Sequence, residues 1–87
     1  MNPTELPERY KYYFLVLSNK WEHLVNGETK KNILMSKSQF IELEDGNCIN
    51  KSYIVQFKFD SITTTDKFRL LPQAVIDSIV REIVKKE

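Results

Sequence analysis

A single cysteine, Cys48, excludes an internal disulfide framework, and with it the small secreted scaffolds that replace a core by cross-links. Glycine is nearly as scarce: only Gly27 and Gly46 occur, one each in an Asn-Gly and an Asp-Gly dipeptide. Phosphate-cradling loops need clustered glycines, so nucleotide binding has no support. Runs of roughly 18 apolar residues are absent, and Met1 to Arg9 is polar with no apolar signal core. Neither a signal peptide nor a membrane partner is therefore expected, and the reading is a cytoplasmic protein. A dominant charge is missing too. Thirteen basic residues meet twelve acidic ones, a net charge of +1, so no field of one sign selects the partner. Ten of the basic residues are Lys and three are Arg, which favours solvated charge over bidentate recognition.

Catalytic chemistry lacks its parts. His23 and Cys48 are the only residues of their kinds, so a Cys-His nucleophile would have to be this pair. A small core-filling thiol and a surface imidazole are the simpler account. No C-x-x-C or H-x-x-x-H pair offers zinc two local ligands, and Glu42, Glu44 and Asp45 read as a solvated hairpin end rather than a cation loop. No enzyme, cofactor or metal is expected, and no catalytic residue is nominated.

What is present is enough for one modest core. The chain has 87 residues, 41% hydrophobic, with ten aromatics, a composition that folds rather than stays disordered. Pro3 and Pro7 make residues 1–9 a flexible N-terminal arm, and residues 10–87 read as a single α+β domain. Tyr10 to Leu17 is aromatic and aliphatic on both alternating faces, as in a central strand. Ser18 to Gly27 is ambiguous. Trp21, Leu24 and Val25 have helical spacing, while Asn26-Gly27 suits a hairpin turn between Glu22–Val25 and Glu28–Lys31; the hairpin is preferred. Short strands follow at Asn32–Met35 and Gln39–Glu44, and Asp45-Gly46 predicts a second hairpin with Leu43 opposite Cys48.

Tyr53 to Phe59 alternates most cleanly, with Tyr53, Val55, Phe57 and Phe59 as its core face. Asp60 to Asp66 reads as a Thr-rich connector and Lys67 to Leu70 as an edge strand. From about Pro72 to Lys86, Val75, Ile76, Ile79, Val80, Ile83 and Val84 form an apolar stripe at helical period, with Asp77 and Arg81 an i, i+4 pair on the other face. The expected fold is α+β: a small antiparallel sheet or partly closed β-barrel of four to six strands with one C-terminal α-helix packed on one face.

One helix cannot cover both faces of a strand that is apolar on both. Either the sheet closes, or its second face meets another copy or another protein. The functional expectation is a non-catalytic protein-interaction module, a homodimer being one form of it, with Tyr10, Tyr12, Tyr13 and Trp21 as contacts. A lone alanine and abundant Lys, Asn and Ile suit an AT-rich genome, and so an adaptor or inhibitor encoded by a phage, plasmid or other mobile element. The alternative is a nucleic-acid-binding sheet using Lys30, Lys31, Lys37, Lys51 and Lys58 with the tyrosines. Against it, Glu22, Glu28, Glu42 and Glu44 interleave with these lysines, and no RNP-type motif occurs.

Overall fold

Leu15 is completely buried, and the fold is arranged around the strand that carries it. The computed structural model describes residues 2–43 and 45–85. Strand β1 (Tyr12–Leu17) alternates between buried Tyr13, Leu15 and Leu17 and half-buried Tyr12, Phe14 and Val16. It is central, as its two apolar faces require: β2 (Glu22–Asn26) pairs antiparallel on one side and β5 (Ile54–Phe59) on the other, giving the order β2-β1-β5. A separate antiparallel hairpin joins β3 (Phe40–Glu42) to β4 (Cys48–Asn50). Three helices complete the described residues: α1 (Gly27–Met35), α2 (Ser61–Arg69) and α3 (Gln73–Lys85).

The fold class is α+β with five strands among the described residues, but neither sheet closes into a barrel and there are three helices where one was expected. The first extra helix occupies the residues expected as strands 28–31 and 32–35. Asn26 does not turn a hairpin. Its side chain accepts a hydrogen bond from the Thr29 backbone N–H at 2.8 Å and so caps α1. Gly27 has no positive φ. It is needed because a Cβ there would sit 2.0 Å from the Glu8 carbonyl oxygen. The turn that does join β1 to β2 runs through Ser18, Asn19 and Lys20, with Lys20 in the left-handed region at φ 72°. Leu17 N–H donates to the Trp21 carbonyl and Lys20 N–H to the Leu17 carbonyl, closing it.

Helix α2 replaces both the Thr-rich connector and the edge strand over 67–70. Asp60 starts it, accepting from the N–H groups of Ile62 and Thr63 and from the Thr63 hydroxyl. Buried Thr64 then fixes it in place: its hydroxyl donates to the Asp60 carbonyl at 2.6 Å and accepts from the Tyr12 N–H at 2.9 Å. A nominally strand-favouring threonine is thus held in a helix by its tertiary hydrogen bond.

Two register expectations change. The β3–β4 loop is one residue longer than a two-residue turn: Leu43 N–H donates to the Asn47 carbonyl, so Cys48 faces Glu42, not Leu43. Gly46 takes φ 87°, the left-handed position of such loops, and Glu44 lies outside the described residues. In β5 the register with β1 slips between Val16 and Leu17, pairing Val16 with Gln56 and Leu17 with Ile54. This bulge at Val55 reverses the alternation. Ile54, Phe57 and Phe59 therefore pack on the core, while Val55 and Tyr53, the latter in the 3₁₀ turn Lys51–Tyr53, are exposed.

Tyr13, Leu15, Leu17, Val25, Ile33 and Leu43 form the buried core, so α1 and the β3–β4 hairpin cover one sheet face. Residues 3–9, read from sequence as part of a loose arm, and Tyr10, read as the first residue of a strand, form two 3₁₀ turns, Pro3–Glu5 and Glu8–Tyr10, with Leu6 buried between them. Helix α3 begins after Pro72, whose carbonyl accepts from Val75 and Ile76, and buries Ile79. Arg9 pairs with Glu82 at 3.0 Å and ties α3 to the turn Glu8–Tyr10. On its outer face Asp77 accepts from Gln73 rather than pairing with Arg81, and Lys86 lies outside the described residues.

Candidate interaction surface

The four aromatic residues nominated from sequence part company in the structure. Tyr13 belongs to the core. Its hydroxyl donates to the Glu8 carboxylate at 2.8 Å, and the Lys30 ammonium stands 4.2 Å from its ring centre. Burial first, then the Glu8 hydrogen bond and charge, push the Tyr13 hydroxyl up to about 12. Burial also raises Glu8, but the bonds from Tyr13 and Lys11 outweigh it and hold the carboxylate below its usual value. Trp21 stands apart on the β1–β2 turn, 65% exposed.

Tyr10 and Tyr12 remain together. Two residues apart, one closing the 3₁₀ turn and one opening β1, they line one open groove with Lys67, Phe68, Leu70 and Leu71 from the end of α2 and the turn before α3. Leu70 caps α2 and is 79% exposed, the most exposed large apolar side chain among the described residues. Its N–H donates to the Lys67 carbonyl and that of Leu71 to Phe68, so the apolar wall is fixed by helix-terminal hydrogen bonds. Arg9 lies 4.8 Å from the Tyr10 ring centre while pairing with Glu82, which raises the Arg9 pKa. The groove thus has an aromatic and aliphatic lining with one charged side chain, Lys67.

The five nominated lysines divide by task. Lys30 covers Tyr13, and the Lys51 ammonium donates to the Ser36 carbonyl, placing a cation at the C-terminal end of α1, whose last turn has none of its own. Lys31 and Lys37 make no ion pair among the described residues. Lys58 lies on β5 opposite Phe14, away from α1.

His23 Nδ1 lies 3.9 Å from Asp45 Oδ2, and exposed Cys48 has no hydrogen bond to it. No group of three or more His, Cys, Asp or Glu gathers to hold a metal ion. Asp45 is held below its usual pKa chiefly by the Asn47 backbone N–H, and Asp60 by the Thr63 hydroxyl; both serve a turn or a cap. None of the described helices is long and apolar enough to cross a membrane.

Sequence reasoning missed Phe68, Leu70 and Leu71 as partners of the tyrosines. The available signal is Phe-Arg-Leu-Leu before Pro72, of which Phe68 to Leu70 reads from sequence as part of the edge strand Lys67 to Leu70. Comparison of the chain with protein-family models, with curated proteins and with solved structures finds no match.

Proposed function

We propose that this chain is a non-catalytic protein-interaction module that receives its partner in the Tyr10–Tyr12 groove. One observation carries the reading: Tyr10, Tyr12, Phe68, Leu70 and Leu71, drawn from two distant stretches of sequence, converge on one open surface with Leu70 79% exposed. An exposed aromatic and aliphatic patch is the composition that anchors protein interfaces. A second copy of the chain and a different cytoplasmic protein are both admitted, and the composition suits an adaptor or inhibitor carried by a mobile element.

Affinity capture with wild type and with Leu70→Asp tests the proposal. The expected result is a protein, or an untagged copy of the chain, recovered by wild type and held at least about tenfold less by the variant. Equal recovery by both contradicts it. So does recovery of nucleic acid alone, released as salt rises, which would promote the lysine-based alternative.

A further inference from the structure

Helix α1 carries a second surface that the Tyr10–Tyr12 groove does not include. Ile33 turns inward and is buried, whereas Leu34 and Met35 are 61% and 71% exposed. Helical spacing sets Lys30 one turn before Leu34 and Lys31 one turn before Met35. These four residues line one groove with Glu8 and Gly27. The turn Glu8–Tyr10 divides the two surfaces, Glu8 lining this one and Tyr10 the other.

The charges identify the occupant. Lys30 and Lys31 line the groove beside the two exposed apolar side chains. Of the nearby acids, Glu8 already accepts from Tyr13 and Lys11, and Glu28 stands one turn before Lys31 in the first turn of α1. The lining of this surface is therefore apolar with two lysines against one carboxylate, which is itself paired with Lys11. We infer that it binds a short acidic segment of another protein, whose carboxylates meet Lys30 and Lys31 while its apolar side chains cover Leu34 and Met35. Two exposed aliphatic side chains are too few to insert stably in a bilayer, and they offer nucleobases no aromatic face to stack on. With the Tyr10–Tyr12 groove, this gives the chain two contact surfaces, as an adaptor needs.

A fluorescein-labelled peptide of glutamate, with leucines at helical spacing, is the probe, followed by anisotropy. The expected result is saturable binding that weakens with salt and falls at least about tenfold in both Lys31→Glu and Met35→Asp. Both sites are exposed, so circular dichroism should show the fold intact. Lys85→Glu on α3 makes the same charge change elsewhere and should keep full affinity. The inference is overturned if polyglutamate without leucine binds equally well, or if Lys85→Glu weakens binding as much as Lys31→Glu. Absence of binding overturns it, as does tighter binding of single-stranded DNA or anionic vesicles lost in the same variants. None of these results bears on Leu70, so the two surfaces stand or fall separately.

Discussion

Tyr13 shows how a side chain chosen for its chemistry can be structural. Its ring fills the core, packing edge-on to Phe59 with centroids 5.6 Å apart, and its hydroxyl reaches Glu8. Because the folded-state pKa is raised to about 12, the native protein keeps this proton after the unfolded chain has lost it. The resulting stability is fully present below the ordinary tyrosine value of about 10 and is lost as pH rises through about 12. Ultraviolet titration should accordingly show one of the four tyrosines ionising near 12, and Tyr13→Phe should abolish that late step. Glu8 works in the opposite direction: its lowered pKa stabilises the fold above the usual carboxylate range and ceases to as pH falls through the folded value. Gly27 is equally local in cause. Adding a Cβ 2.0 Å from the Glu8 carbonyl oxygen must displace the turn Glu8–Tyr10, so Gly27→Ala is expected to cost about 2–3 kcal/mol in chemical denaturation. This residue explains a misreading. Asn-Gly is a hairpin signal only when the pair supplies left-handed backbone; here Asn caps a helix and Gly admits a neighbouring carbonyl, and sequence spacing does not distinguish these uses.

Among the elements, β1, the β3–β4 hairpin, β5 and α3 were legible because hydrophobic pattern or turn chemistry points one way in each. Helices α1 and α2 were not. Gly27–Met35 has one buried aliphatic residue, Ile33, and so little amphipathic contrast, while α2 is rich in threonine and held by Thr64 bonding to a strand 52 positions away. The β1–β2 turn was missed for a related reason. Ser18 and Asn19 suit a helix cap as well as a turn; here Asn19 Oδ1 accepts from the Trp21 N–H at 3.0 Å within the turn, and Lys20 holds a positive φ without being Gly, Asn or Asp. That position is strained. Lys20→Gly should raise stability by about 0.5–1 kcal/mol, the relief of left-handed backbone less the entropy of glycine, measurable as a higher denaturation midpoint at unchanged slope.

For the whole molecule, the problem of the two-sided strand is solved largely within the chain. Helix α1 and the β3–β4 hairpin cover one face, and α2 docks at the start of β1 through Thr64 while Tyr12, Phe14 and Val16 are half-buried. The sequence argument nominated Tyr10 and Tyr12 but could not foresee that the end of α2 would line the same groove, because that convergence exists only after folding. Leu34, Met35 and Leu70 are exposed beside helix ends, while Leu24, Phe40 and Val55 are exposed on the strands. Replacing Leu70 with a photo-cross-linking phenylalanine, in cells making the protein, tests the central claim most directly. The account predicts adducts with protein, a second copy or a distinct partner, that are absent when the same group replaces Asn47 on the β3–β4 loop and reduced by Tyr10→Ser. Adducts with nucleic acid alone, or the same adducts from both positions, would contradict it.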